Sequence, residues 1–144
     1  MSTPQGPFVL VQNTPNNPPG TSLLPLADVA GGLEGVQSVT LGVGNNNNVA
    51  IDSGTLIVLI TPNAGGSVLT GLTGGSPGRV LYVQTVVALT FTVADEDANS
   101  TAANRIRCPT NGNSESFGAL FQGFMVVYDG TGLRWRLIGK PDAA

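Results

Sequence analysis

The 144-residue chain contains no histidine and a single cysteine, Cys108. The missing histidine removes the side chain used most often as a general base and as a neutral metal ligand. One cysteine cannot form a disulfide within the chain or a multi-cysteine zinc site. Acidic residues are also few, nine in all. We therefore expect a protein that is not an enzyme, with no catalytic residues, no metal site and no cofactor.

Charge is scarce as well, at 10% of residues and a formal net charge of -3. A nucleic-acid-binding face needs clustered basic residues, so we expect no nucleic-acid partner. No run of 18 apolar residues is present, and we expect no transmembrane helix and no membrane partner. The first residues lack the basic flank and apolar core of a signal peptide, which predicts synthesis in a cytoplasm.

The first 25 residues hold six of the ten prolines. Such a segment cannot be helical and makes a poor central strand. It also carries two apolar clusters, which a wholly disordered tail would avoid. We expect residues 1–30 to form an extended arm that binds a neighbour; the alternative is a flexible leader that folds back on its own domain. The candidate binding side chains of the arm are Phe8, Val9, Leu10, Val11, Leu23, Leu24 and Leu26.

The remaining body, residues 31–144, consists of short apolar runs separated by turn residues. Examples are residues 36–43, 80–84 and 89–93, with the four asparagines Asn45–Asn48 as one of the turns. Twenty glycines argue against long helices. The pattern predicts an all-β body: a compact sandwich, prism or barrel-like domain of short antiparallel strands. No repeat of fixed period is visible, so no solenoid is predicted.

The last strands, residues 124–139, are predicted to form a hairpin with a tight turn at Asp129–Gly132. Alternation places Arg134 and Arg136 on one face, where they would meet solvent or a carboxylate of a neighbouring chain. The opposite face carries the only tryptophan of the chain. A sugar-binding platform would need the tryptophan and the arginines on one face, which disfavours that interpretation. The predicted structural core of the hairpin is Phe124, Val126, Tyr128, Leu133, Trp135 and Leu137.

Two segments have part of the pattern of a ligand site. Asp95, Asp97, Asn99 and Thr101 alternate as in a calcium loop, but the glycine of the sixth position and the glutamate of the twelfth are missing. Cys108 precedes a proline, and the chain has no histidine to activate it. We expect a solvated loop and a small, partly buried thiol.

Several stretches of the body carry a resemblance to a known group of proteins. They are Gly78 with the following strand at residues 80–84, the strand at 89–93, the segment Asn104–Pro109 and the closing residues 128–138. Together they resemble the β-rich modules of trimeric virion proteins of tailed bacteriophages. That group includes head decoration or cement proteins, head fibres and tail-fibre segments, and the resemblance covers roughly residues 35–139.

The resemblance implies a homotrimeric structural protein of the virion, made in the host cytoplasm and located on the capsid surface. Its partner would be the major capsid protein, and it would stabilise the head by cross-linking neighbouring capsomers. The chain lacks the long shaft or coiled coil of a fibre, which favours a compact decoration protein. The alternative is a receptor- or glycan-binding module of a tail fibre.

Overall fold

A computed structural model of the protein describes residues 35–110 and 112–139. The described residues contain ten β-strands and one short 3-10 helix, at Ala102–Asn104. The strands are β1 Val36–Thr40, β2 Gly44–Asn46, β3 Ile57–Thr61, β4 Ser67–Leu69, β5 Val80–Thr85, β6 Phe91–Val93, β7 Ile106–Arg107, β8 Glu115–Phe117, β9 Gly123–Asp129 and β10 Arg134–Ile138. The predicted arm, residues 1–30, lies outside the described residues.

The strands form two sheets that share one core. The larger sheet has six strands in the order β1-β3-β5-β9-β10-β7, and the smaller has four in the order β2-β4-β6-β8. Aromatic rings pack between the two sheets. The ring centroid of Phe124, in the larger sheet, lies 4.4 Å from that of Phe117 and 6.3 Å from that of Phe91, both in the smaller sheet. The prediction of an all-β body built as a sandwich is confirmed.

The first six strands are wound as a coil. The chain alternates between the sheets, so β1, β3 and β5 lie parallel in the larger sheet, and β2, β4 and β6 lie parallel in the smaller. Only β5–β9, β9–β10 and β6–β8 pair antiparallel in the described part of the chain. The prediction of antiparallel strands is therefore wrong for the coil. Each turn carries the chain to the opposite sheet, so consecutive strands cannot close a hairpin.

The coil has three turns of unequal length. In the larger sheet Val36 pairs with Ile57, 21 positions away, and Ile57 pairs with Tyr82, 25 positions away. In the smaller sheet Ser67 pairs with Gly44 and Phe91, at offsets of 23 and 24. The chain has no repeat of fixed period, as expected, but three turns of a coil are present nevertheless. The turns differ in length partly because their connections differ: three residues join β1 to β2, but five join β3 to β4. These differences hide the repeat in the sequence.

A partly buried polar cluster connects the first turn of the coil to the second turn and to the loop before β7. Asn48 has a left-handed backbone, with φ of 48°. Its Oδ1 accepts from the Thr101 N–H at 2.9 Å and from Asn104 Nδ2 at 2.8 Å. The Asn48 N–H donates to Ser100 Oγ, which also shares a 2.8 Å hydrogen bond with the buried Thr70 hydroxyl. The cluster satisfies its own polar groups, so it fixes the turn after β2 against the loop before β7.

Candidate interaction surface

The outer face of the larger sheet carries a row of apolar side chains that crosses five strands. Val36 pairs with Ile57, Ile57 with Tyr82, Tyr82 with Met125, and Met125 with Ile138. Directly paired residues project from the same face of a sheet. All five side chains are between 36% and 45% exposed. We call these five residues the apolar stripe.

The stripe is narrow, although a few apolar neighbours widen its middle. On one side the outward residues include Leu59, which is half-buried, and the polar Gln84. On the other side Val80 and Val127 lie beside the stripe, and Arg136 follows on β10. Polar side chains such as Gln84 and Arg136 therefore border the stripe at some positions, and apolar ones border it at others. An apolar centre with a polar rim is the usual anatomy of a protein–protein contact.

Strand β3 is apolar on both faces. Val58 and Ile60 are fully buried in the core, while Ile57 projects outward. Parallel strands with continuous apolar sequence normally lie in sheets that are covered on both faces. The outer face of β3 therefore has the composition of a contact surface.

The arginines of the closing hairpin bind carboxylates of their own chain. Glu96 forms two salt bridges: its Oε1 lies 2.7 Å from Arg134 Nε, and its Oε2 lies 2.8 Å from Arg107 Nη2. Burial alone would raise the pKa of Glu96, but the hydrogen bonds and positive charges of Arg134 and Arg107 outweigh it and leave this pKa below its usual value. Glu96 carries one negative charge between two guanidinium groups, so these three side chains together keep a net positive charge.

Arg136 is neutralised in the same way by Asp129, with Nη2 and Oδ2 at 2.6 Å. The other oxygen of Asp129 accepts the backbone N–H groups of Thr131 and Gly132, at 2.8 and 3.1 Å. Hydrogen bonds lower the pKa of Asp129 to about 2. The largest contribution comes from the Gly132 N–H, followed by Arg136 and the Thr131 N–H. The carboxylate thus closes the turn and pairs with the arginine beside the stripe.

The hairpin residues predicted as core divide into two groups. Five are at most 6% exposed: Phe124, Val126, Tyr128, Trp135 and Leu137. The prediction is wrong for Leu133, which is 51% exposed and has φ of 51°. The turn extends through Leu133, and the strand pairing begins only with Arg134 opposite Asp129. Residues of the turn do not follow the alternation of a strand.

Trp135 is enclosed and uses its polar atom internally. Its Nε1 donates to the Leu72 carbonyl at 2.8 Å, and its ring meets Tyr128 edge-on at 5.2 Å. The side chain has no exposed surface. A sugar cannot stack on a ring that has no free face, so Trp135 belongs to the core.

The calcium-like segment is used for hydrogen bonds within the chain. Asp95 Oδ1 accepts a hydrogen bond from the Cys108 N–H at 2.7 Å. Asp97 Oδ1 accepts hydrogen bonds from the backbone N–H and from Nδ2 of Asn99, both at 2.8 Å. Among residues 35–110 and 112–139, no group of three or more acidic or cysteine side chains lies close enough to hold a metal ion. Cys108 is buried, with its sulfur 3.6 Å from the Val93 carbonyl.

Two further exposed apolar side chains, Leu120 and Phe121, lie in the loop between β8 and β9, at one end of the larger sheet. Leu120 and Phe121 are 50% and 62% exposed, and Phe121 has φ of 64°. Several hydrogen bonds hold the loop. Among them, the Phe121 N–H donates to the Thr85 carbonyl, Gln84 Nε2 donates to the Phe121 carbonyl, and the Gly118 N–H donates to Gln122 Oε1.

Sequence reasoning missed the apolar stripe, although part of its signal is present in the sequence. The uninterrupted run Ile57–Ile60 indicates a strand that is apolar on both faces. Alternation within single strands cannot show that five outward side chains line up across a sheet. The seven candidate binding residues of the arm, from Phe8 to Leu26, lie outside the described residues.

Comparison with known proteins adds no relative. A scan against protein-family models gave no match, and a search of curated proteins gave none either. In the part of the chain that the structure describes, no helix is long and apolar enough to cross a membrane.

Proposed function

We propose that the protein is a structural protein of a tailed-bacteriophage virion: a homotrimer that decorates the head and binds the major capsid protein. The observation that supports this most is the apolar stripe, which is exposed on a sheet whose strand β3 is apolar on both faces. An exposed apolar surface of this kind favours association with another protein. The resemblance of residues 35–139 to trimeric virion modules supplies the context.

The mechanism is mechanical. A trimeric body holds three copies of the Pro-rich arm, and each arm places its apolar clusters against a neighbouring capsomer. An arm of 26 extended residues reaches roughly 80 Å, at about 3.1 Å per residue. Three linked weak contacts bind far more durably than one, because each bound arm raises the effective concentration of the others. The shell is thereby cross-linked without a chemical reaction.

Electron microscopy of purified virions that carry a labelled copy of this chain tests the proposal. Label over the head surface is the expected result. Label at the tail tip would overturn the decoration role in favour of the receptor- or glycan-binding alternative. Virions without label would overturn both roles.

A further inference from the structure

We infer that one end of the β-rich body contacts the shell, with Leu120 and Phe121 as the side chains that anchor it. The inference rests on the proposed function for the identity of the partner, and it adds a contact of the body to those of the arms. The partner surface that fits this end is a protein pocket that is apolar and uncharged.

Four connections lie side by side at this end of the larger sheet. Strands β1, β3 and β5 are parallel, so the connections that follow them, residues 41–43, 62–66 and 86–90, leave from the same end. Strand β9 is antiparallel to β5, so residues 118–122, which lead into β9, lie at that end as well. Since β1, β3, β5 and β9 are neighbours in the sheet, the four connections follow one another in that order.

None of the residues in these four connections is charged, and we call them the uncharged end. The connections at the opposite end of the strands carry Asp52, Arg79, the acidic residues 95–97 and Arg105. Charged side chains are usual on a surface that faces water, whereas they are depleted at the centre of protein–protein contacts. This difference indicates that a partner covers the uncharged end and that the opposite end faces solvent.

The uncharged end exposes apolar side chains. Val43 is 66% exposed, and Leu120 and Phe121 are 50% and 62% exposed. In the connection next to the Leu120–Phe121 loop, the apolar residues 86–89 are partly exposed as well. An exposed apolar surface of this kind favours association with an apolar surface of another protein.

Hydrogen bonds fix Phe121 in its exposed position. Its φ of 64° is a conformation that glycine adopts without strain but that phenylalanine rarely adopts. The Phe121 N–H donates to the Thr85 carbonyl at 3.1 Å, and Thr85 Oγ1 donates to the Ala119 carbonyl at 2.7 Å. The Ala119 N–H donates to Gln122 Oε1 at 3.1 Å. Because the loop is already ordered, little conformational freedom remains to be lost when a partner buries the ring.

The chemistry of the uncharged end favours a protein partner over a lipid surface or a strongly charged molecule. A charged partner would find no opposite charge in these four connections. Segments that bind lipid surfaces usually combine a large apolar face with Lys or Arg, and these connections contain neither basic residue. The apolar, uncharged pocket of a protein is the partner that remains.

The first test compares Phe121→Gly with Leu133→Gly in the full-length protein. Both residues are exposed and have a left-handed backbone, but Leu133 lies in the turn at the opposite end of the sheet. Glycine relieves the backbone strain at both positions, so neither variant should melt at a lower temperature than the wild type. In co-sedimentation with capsids stripped of the protein, F121G should bind at least about tenfold more weakly, and L133G should bind like the wild type.

A second test measures whether the uncharged end is covered on the capsid. Phe121→Cys and Leu133→Cys place one thiol at each end of the body, and the native Cys108 is buried. A maleimide-linked polyethylene glycol should label both new thiols in the free protein, and the wild type measures any reaction of Cys108. On saturated capsids the thiol at position 121 should react at least about tenfold more slowly, because a partner excludes solvent from it. The thiol at position 133 should react as in the free protein.

Several outcomes would overturn the assignment while the decoration role stands: equal capsid binding by F121G and the wild type, an equal loss in L133G, or unchanged labelling of position 121 on capsids. A lower melting temperature for F121G would show that the ring serves the fold. Binding of the wild type to phosphatidylcholine vesicles, lost in F121G, would replace the protein pocket by a lipid surface. A wild type that does not bind stripped capsids would overturn the decoration role, and the shell contact with it.

Discussion

Trp135 is wholly buried, whereas Leu133, two positions earlier, projects into solvent. The difference arises because the hairpin turn ends between them: the pairing begins at Arg134 opposite Asp129. Trp135 fills the space under Tyr128 and also satisfies the buried Leu72 carbonyl. At the scale of the residue, a side chain therefore contributes to the core only if its residue lies in the strand and not in the turn before it.

Trp135→Ala should lower the free energy of unfolding by about 3–5 kcal/mol, since the change leaves a large cavity in the core. Leu133→Ala is the control and should change it by less than about 0.5 kcal/mol, as is usual for an exposed position. Chemical denaturation of both variants measures the effect. Equal stability of the two variants would mean that Trp135 is not a core residue.

The lowered pKa of Asp129 predicts that the free energy of unfolding decreases at acidic pH. The pKa of this side chain is lowered from 3.8 to about 2 in the folded protein. The unfolded chain therefore takes up the proton first as the pH falls, and the stabilisation is complete above about pH 4 and lost toward pH 2. Asp129→Asn should be less stable than the wild type at neutral pH but lose less stability between pH 4 and pH 2. Urea unfolding across that range provides the measurement, and parallel curves for the two proteins would contradict the assignment.

At the scale of the element, side chains connect the first turn of the coil to the loop that follows β6. Asn48 is the clearest case, because its side chain accepts from Thr101 and Asn104 while its backbone donates to Ser100. Asparagine also tolerates the left-handed backbone that this position requires. The strands β2 and β4 are only three residues long. Such short ladders gain much of their order from these side-chain ties.

Asn48→Ala should lower the free energy of unfolding by about 1–3 kcal/mol, because it leaves the part-buried Asn104 Nδ2 and the exposed Thr101 N–H without their acceptor. The matched control is Asn45→Ala, an exposed asparagine of β2 whose side chain makes no hydrogen bond to other described residues. Thermal unfolding of both variants tests the difference. A loss as large for Asn45 as for Asn48 would show that the polar cluster is not specific.

At the scale of the whole molecule, association is expected to divide between two parts of the chain. The β-rich body is proposed to form the trimer, while the arm is proposed to hold the shell. Because both sheets and their core consist of body residues, trimer formation should not need the arm. The two contacts can therefore be removed separately.

Deletion of residues 1–26 should leave a folded trimer that binds capsids weakly. Loss of binding should be steep, because the avidity of three arms disappears together with their contacts. Co-sedimentation of the truncated and full-length proteins with capsids stripped of the protein provides the measurement. Equal retention would show that the body carries the capsid contact. A truncated protein that fails to trimerise would place the arm in the trimer itself.

Period-two alternation was enough to identify the β class and most of the hairpin core. Phe124, Val126 and Tyr128 are buried together because neighbours two apart along a strand share a face wherever the strand lies. Leu133 was misplaced because its position depends on the length of the turn. Alternation describes a strand but does not show where the strand begins.

Only the tertiary structure decided the direction of the strands and the outward surface. The sequence does not show that the turns after β1, β3 and β5 lead to the opposite sheet, because that route depends on packing two sheets over one core. The stripe likewise requires the register of strands that are far apart in the chain, from Val36 to Ile138. Burial of a side chain within a strand follows a local period, whereas alignment across strands depends on long-range pairing.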